Sequence, residues 1–117
     1  IVMVGDGSYL MMNSEIATSV AMGLKLTIVV LDNGGFGCIN RLQHACGGER
    51  FNNLYAYNTF QEESPQIDFV MHARSQGAIA VKAKSLSELE AAMNIAVRSP
   101  ITAAPPPVET PGFWPSL

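Results

Sequence analysis

Two glycine-rich turns contain the residues whose types and spacing could do chemistry. The first turn, Gly5-Asp6-Gly7-Ser8, places a carboxylate between two glycines. Glycines at a strand-to-helix turn allow backbone N–H groups to approach a phosphate closely. A carboxylate that faces a phosphate is repelled unless a divalent cation lies between them, so Asp6 predicts a phosphate bound through a metal. A site of oxygen ligands suits Mg²⁺, which keeps phosphate oxygens and water in its coordination shell.

The second turn supplies the remaining oxygen ligands. It offers the side-chain amide of Asn33 and a backbone carbonyl at Gly35, and both are hard donors. Asp6 and Asn33 are 27 residues apart, about one helix plus one strand, so a βαβ unit would bring the two turns side by side. The sequence therefore predicts a Mg²⁺–diphosphate site. A dinucleotide fingerprint does not fit, because Leu10 stands where its third glycine is needed, and a P-loop lysine is absent from this turn.

The elements that must position these turns alternate in an α/β pattern. Continuous apolar runs predict buried strands, spacings of three and four predict helices, and glycine or proline ends them. Because βαβ crossovers are right-handed, we expect a parallel sheet with helices on both faces and ligands beyond the carboxyl ends of its strands. The predicted strands are 1–4, 26–31, 78–83 and 101–104, and the predicted helices are 9–22, 38–46, 68–76 and 85–99.

Apolar spacing also predicts which helix faces are buried. In the last helix, Ser85 followed by Glu88 has the signature of a capping box. The predicted inward positions are Met12, Ile16, Val20 and Leu24 in the first helix, Ile39, Leu42 and Cys46 in the second, and Leu86, Leu89, Met93 and Val97 in the last.

The composition excludes several classes of protein. The 117 residues are 48% hydrophobic and 15% charged, with a net charge of −3 and no basic run, so nucleic-acid binding is not predicted. The longest apolar run, about 24–31, is too short to span a bilayer. Cys38 and Cys46 fit neither a disulfide framework nor a zinc pair, and free thiols without a signal peptide predict a cytoplasmic protein.

The domain organisation follows from where the patterns stop. Residues 1–104 are predicted to form one domain, and because the chain opens in what reads as the interior of a strand, we expect its N-terminal part to be missing. Residues 105–117 contain three consecutive prolines and a Pro-Gly pair, which predict an extended or disordered tail.

The two turns together resemble the cofactor motif of thiamine diphosphate-dependent enzymes, the superfamily of decarboxylases and acetolactate synthases. The likeness rests on Gly5-Asp6-Gly7, on residues 15–18, and on the run Asn33-x-Gly35-Phe36-Gly37. It implies that thiamine diphosphate is the cofactor and that Asp6, Asn33 and the Gly35 carbonyl hold Mg²⁺. It also implies that the backbone of Gly7 and Ser8 contacts the diphosphate, within a cofactor-binding set of Gly5, Asp6, Gly7, Ser8, Asn33, Gly35, Phe36 and Gly37.

Residues 5–15, 37–43, 47–48 and 51–54 are similar to one branch of that superfamily. Its members, the 3D-(3,5/4)-trihydroxycyclohexane-1,2-dione hydrolases, cleave a carbon–carbon bond in myo-inositol catabolism. In the superfamily a glutamate from a pyrimidine-binding domain, usually the partner subunit's, activates the cofactor. The resemblance therefore implies that this chain belongs to a homo-oligomer, supplies no catalytic residue itself, and does not turn over substrate alone.

Two other functions stay open. The same cofactor could serve an acetolactate synthase-like decarboxylase or carboligase, or the chain could be a non-catalytic α/β module that self-associates through the edge of its sheet. Three residues follow the second turn: Cys38 could line the cofactor pocket, Arg41 could contact an anionic or hydroxylated ligand, and His44 could contact substrate. The ordinary interpretations are a small buried thiol for Cys38, a salt bridge at a domain interface for Arg41 and surface exposure for His44. His72 is predicted on a helix surface without a second histidine at zinc-ligand spacing.

Overall fold

A computed structural model describes residues 1–100 and the backbone of residues 103–104 and 108–109. The elements alternate between strand and helix, as the apolar pattern predicts. In chain order they are β1 (Val2–Gly5), α1 (Asp6–Met11), α2 (Glu15–Ala21), β2 (Ile28–Asp32), α3 (Gly37–Ala45), a 3-10 helix (Tyr55–Tyr57), α4 (Phe69–Ser75), β3 (Ile79–Ala80), α5 (Leu86–Arg98), β4 (Ala103–Ala104) and β5 (Val108–Glu109).

The strands pair in parallel, which confirms the predicted fold class. One sheet has the order β1-β2-β5 and a second pairs β3 with β4. The register of β1 on β2 runs from Val2 opposite Ile28 to Gly5 opposite Leu31. Both strands therefore end at the same edge of the sheet, and the turns that follow them leave the sheet next to each other.

The core lies around β2. Ile28, Val29 and Val30 are all buried, and side chains alternate between the faces of a strand, so both faces of β2 are covered. This explains why the sequence of β2 is continuously apolar rather than alternating. The cluster on the face of Ile28 and Val30 also contains Tyr9, Ile16, Phe69, Ala73, Ala78 and Ala80.

The predicted helix at 9–22 is in fact two helices. Residues 12–14 interrupt it, and the Asn13 side chain donates to the carbonyl of Leu10 (3.1 Å), which is a local bond that competes with the helical ladder. The break changes the buried face: Ile16 is fully buried, whereas Met12 is 70% exposed and Leu24 is 57% exposed. The prediction that these three side chains share one inward stripe is wrong.

The inward face of α5 is also rotated from the predicted one. Leu86 and Val97 are exposed, and the buried positions are Ala92 and Ala96, with Leu89 and Met93 half-buried. Positions 89, 92, 93 and 96 follow helical spacing as well as the predicted set does. Small alanines contribute little to an apolar pattern but allow a helix to pack closely.

Helix α3 has no fully buried residue. Ile39 and Leu42, which the pattern places inward, are about half to two-thirds exposed. Across the part of the chain that the structure describes, helices are either too short or too polar to cross a membrane.

The C-terminal segment contributes strands to both sheets. The strand predicted at 101–104 is present as β4, whose range is Ala103–Ala104. β5 lies inside the predicted tail, where its extended backbone pairs with Leu31 and Asp32 of β2. The remaining predictions for residues 101–117 lie outside the described residues.

Candidate metal and diphosphate site

The carboxylate of Asp6 joins the two glycine-rich turns. Helix α1 begins directly at the end of β1, so Asp6 is its first residue, and it is completely buried. The Gly35 N–H donates to Asp6 Oδ2 at 2.6 Å, and the Asn33 N–H lies 3.4 Å from Oδ1. The first turn is thus bonded to the second, as their adjacent strands predict.

Burial raises the pKa of Asp6, and the nearby carboxylate of Asp32 adds to that rise. The hydrogen bonds from Gly35, Asn33 and Gly7 act in the opposite direction without cancelling the effect of burial. The negative charge of Asp6 is therefore poorly stabilised by the protein alone. A cation at this carboxylate would stabilise the ionised form.

The side chain of Asn33 completes a convergence of three groups. One terminal atom of its amide lies 2.9 Å from Asp6 Oδ1 and 3.0 Å from the carbonyl oxygen of Gly35. With nitrogen at that position, the amide donates to both oxygens. With the amide oxygen there, which is the orientation in the structure, three oxygens converge at one point. A carboxylate, an amide oxygen and a carbonyl are the hard donors that Mg²⁺ takes, so the residues fit this ion.

These donors differ from the usual clusters of metal-binding side chains. Within the described residues, groups of three or more His, Cys, Asp or Glu side chains in an arrangement suited to a metal are absent. Asp6 is the one charged ligand of the convergence, and the other two ligands are neutral oxygens. Such a site leaves room in the coordination shell for the negative charge of a phosphate.

Glycine is required where the two turns touch. A Cβ on Gly7 would lie 2.8 Å from Cδ1 of Phe36 and 3.0 Å from the Gly35 carbonyl oxygen. Gly35 itself has a φ of +130°, and a Cβ there would lie 2.7 Å from the Asn53 carbonyl oxygen. The close approach of backbone to backbone therefore explains these two glycines independently of any ligand.

The segment around Asn53 holds the second turn from its other side. The Phe36 N–H donates to the Asn53 carbonyl at 2.7 Å, and the Tyr55 N–H donates to the Gly34 carbonyl at 2.8 Å. Gly35 and Leu54 form an antiparallel bridge between these bonds. This segment lies between the predicted helices and has no apolar periodicity, so the sequence pattern does not predict this contact.

The other predicted site residues lie around the convergence. Gly5 is the N-cap residue of α1 and has an extended backbone conformation. Ser8 is exposed in the first turn of that helix. Gly37 begins α3, and a Cβ at this position would meet the Asn33 amide at 3.0 Å. Phe36 is half-buried against Gly7.

The candidate residues further along the chain lie outside this group. Cys38 and Cys46 are both free and exposed, which confirms that they do not pair with each other, and His44 is exposed as well. The structure corrects the prediction for His72: it is half-buried, and its Nδ1 lies 2.8 Å from the hydroxyl of Tyr9. This bond joins α4 to α1, the helix that starts at Asp6.

Residues 1–104 match the sequence family described as "Thiamine pyrophosphate enzyme, C-terminal TPP binding domain". Among curated proteins, 3D-(3,5/4)-trihydroxycyclohexane-1,2-dione hydrolase of Bacillus licheniformis is 34% identical over 100 residues, covering 86% of this chain and 15% of that protein. The protein of the same name from Geobacillus thermodenitrificans is 40% identical over 96 residues, covering 78% and 15%. The chain thus spans about 15% of the length of these relatives.

Two solved structures share the fold. Benzoylformate decarboxylase from Polynucleobacter necessarius superposes with a TM-score of 0.77 at 24% identity, over 92% of this chain and 19% of that one. The thiamine diphosphate-dependent 4-hydroxybenzoylformate decarboxylase of Rhodococcus jostii RHA1 gives a TM-score of 0.76 at 18% identity, over 94% and 20%. These likenesses concern the fold alone.

Proposed function

The chain belongs to the family of C-terminal thiamine pyrophosphate-binding domains of thiamine pyrophosphate enzymes, and from this premise we propose that it holds the diphosphate of that cofactor through Mg²⁺. Asp6, Asn33 and the carbonyl of Gly35 would be the protein ligands of the ion. The observation that carries this proposal is their convergence, in which one Asn33 amide atom lies within 3.0 Å of both other groups.

The electrostatics of Asp6 support the same assignment. A buried carboxylate with a raised pKa destabilises the ionised chain, and a divalent cation reverses that effect because it favours the charged form. The cation also removes the repulsion between Asp6 and a diphosphate. The remaining residues of the proposed cofactor set, Gly5, Gly7, Ser8, Phe36 and Gly37, border these ligands, and the backbone of Gly7 and Ser8 would contact the diphosphate.

We further propose that the parent enzyme is a hydrolase of a carbon–carbon bond in a cyclic trihydroxy-dione. The support is that curated relatives at 34% to 40% identity carry that name. When bound, the cofactor would supply a nucleophilic thiazolium carbon and an electron sink. This chain would anchor the cofactor, and by the family resemblance we expect the activating glutamate to come from a pyrimidine-binding domain.

If the glutamate comes from a partner subunit, the assembly is a homo-oligomer, and we propose a cytoplasmic location because the two thiols are free. The chain alone is then expected to show no turnover of the cyclic dione. Assay of the 117-residue chain and of a full-length parent enzyme, each with cyclic dione and with pyruvate, separates this proposal from an acetolactate synthase-like reaction. Turnover of the dione by the isolated chain, or of pyruvate alone by the parent, contradicts it.

The binding proposal is tested by calorimetry with thiamine diphosphate, with and without Mg²⁺. We expect binding that requires Mg²⁺, and we expect Asp6→Asn to weaken it by at least the factor of about 10–100 that loss of a metal site's supporting residue costs. Glu15→Gln is the matched control, because it removes a carboxylate of similar size from an exposed position in α2. Binding that persists after chelation of the metal, or that keeps its wild-type affinity in Asp6→Asn, refutes the proposal.

A further inference from the structure

The hydroxyl of Tyr55 is a buried polar group without a partner. It and Oδ1 of Asn40 are the buried side-chain atoms within the described residues that make no hydrogen bond. A covered hydroxyl that lacks a partner is costly, and such groups in native proteins call for an explanation. The residue as a whole is only partly buried, although its hydroxyl oxygen is covered.

The backbone of Tyr55 is fixed beside the proposed metal ligands. Its N–H donates to the carbonyl of Gly34 at 2.8 Å, and the preceding residue, Leu54, bridges to Gly35. The side chain is therefore carried by the segment that is hydrogen-bonded to the turn that presents the Gly35 carbonyl.

The surroundings of the hydroxyl are acidic. Burial raises the pKa of Tyr55 to about 12, and the carboxylates of Asp6 and Asp32 contribute to the rise. The hydroxyl is thus protonated at neutral pH and available as a donor. The nearby carboxylate oxygens already accept backbone N–H groups: Asp6 those of Asn33 and Gly35, and Asp32 that of Gly34 at 3.2 Å.

We propose that Tyr55 is a positioning residue for the cation–diphosphate end of the cofactor, where its hydroxyl donates a hydrogen bond to an oxygen acceptor that arrives with the ligand. This inference rests on the proposed function. The acceptor is either a diphosphate oxygen or a water on the cation, and both present the same chemistry to the hydroxyl. The hydroxyl binds and orients that oxygen and takes no part in bond making or breaking.

The test compares Tyr55→Phe with wild type by calorimetry, using Mg²⁺ alone, Mg²⁺ with inorganic pyrophosphate, and Mg²⁺ with thiamine diphosphate. We expect an affinity loss of about 10-fold, the size of one hydrogen bond, that is equal for pyrophosphate and thiamine diphosphate. A loss already present with Mg²⁺ alone identifies a water on the cation as the acceptor. A loss that needs pyrophosphate identifies a diphosphate oxygen.

Tyr57→Phe is the matched control. Tyr57 ends the same 3-10 helix, but the guanidinium carbon of Arg50 lies over its ring, 4.7 Å from the ring centroid. The affinity of Tyr57→Phe for each ligand should therefore equal that of wild type. Thermal unfolding without ligand separates positioning from a structural role. Since the hydroxyl has no partner in the protein, Tyr55→Phe should be at least as stable as wild type.

Three results overturn the inference: unchanged affinity in Tyr55→Phe, a loss with thiamine diphosphate but not with pyrophosphate, or a loss of affinity that accompanies a loss of stability. Failure of the proposed function looks different. In that case the wild-type chain itself does not bind Mg²⁺ with thiamine diphosphate, and Tyr55→Phe has no affinity to lose.

Discussion

At the scale of single residues, Asp6, the proposed metal ligand, lowers the stability of the metal-free chain when it is ionised. Its carboxylate is completely buried, and the backbone hydrogen bonds it accepts do not cancel the effect of burial on its pKa. The folded chain therefore holds the Asp6 proton more tightly than the unfolded chain does. A residue chosen for stability alone would be neutral at this position.

This imbalance predicts a pH dependence. Since the folded pKa of Asp6 lies above its ordinary value of 3.8, the metal-free chain should lose stability as pH rises from 3.8 through the folded pKa. The slope contributed by one proton is at most about 1.4 kcal/mol per pH unit. Denaturant unfolding of wild type and Asp6→Asn in the presence of a chelator measures it. The difference between the two curves isolates Asp6, and a difference that does not change with pH shows that the prediction is wrong.

The proximity of Asp6, Asn33 and Gly35 could be predicted from sequence, because parallel strands of known spacing end at one edge of a sheet. The surroundings of Tyr55 and His72 could not. The backbone of Tyr55 bonds to Gly34 and the side chain of His72 bonds to Tyr9, each more than twenty positions away, and neither residue belongs to a periodic pattern. The bond between His72 and Tyr9 depends on how α4 packs against α1, which apolar spacing in one helix cannot specify.

At the scale of elements, the two glycine-rich turns pack directly against each other, because Gly7 has no side chain where it faces Phe36. Gly7→Ala should force the turns apart, destabilising the chain by about 1–3 kcal/mol as overpacking does, and should weaken Mg²⁺-dependent cofactor binding. Gly5→Ala is the stability control, because its Cβ would have no neighbour closer than 4.0 Å. Equal unfolding free energies for the two variants would contradict this account.

Helix α5 begins with the predicted cap, although its geometry differs in one bond. The Ser85 hydroxyl accepts from the Glu88 N–H at 3.3 Å, but the Glu88 carboxylate reaches the N–H of Lys84 at 2.6 Å rather than that of Ser85. Ser85→Ala should cost about 1 kcal/mol of unfolding free energy. Because α5 supplies none of the proposed ligands, cofactor affinity should stay at the wild-type value. Calorimetry and denaturant unfolding of the same preparation test both statements.

Element boundaries were less predictable than element types. The break at residues 12–14 arises from a local side-chain bond of Asn13, and the face of α5 is set by close packing at Ala92 and Ala96. Neither effect changes the count of apolar residues at helical spacing. Hydrophobic pattern alone therefore identifies these helices but not their ends or their orientation.

At the scale of the whole molecule, the sheet presents an edge at β1. Within the described residues, a strand on the side of β1 away from β2 is absent, and Ile1, Val2 and Met3 are all exposed. Exposed apolar strands at an edge favour pairing with another chain. This surface fits the proposed oligomer, and equally a neighbouring part of a larger enzyme.

We therefore expect the chain to self-associate as its concentration rises. Met3→Glu should shift the elution volume in size-exclusion chromatography toward the monomer, because a charge on an edge strand opposes pairing. Met22→Glu is the control, since Met22 is exposed to the same extent (64%) but lies at the end of α2. If both variants elute alike, or if wild type is monomeric throughout, β1 is not the associating surface.

The bridge between Gly35 and Leu54 has a consequence for how the chain receives its ligand. The N–H groups of Gly35, Phe36 and Tyr55 are each bonded, to Asp6, Asn53 and Gly34 at 2.6, 2.7 and 2.8 Å. A loop normally loses conformational entropy when it closes on a small molecule, and this loss lowers the binding affinity. Here bonds within the protein itself hold the second turn, so little further ordering is needed when it meets a diphosphate, and less of the interaction energy is lost to ordering.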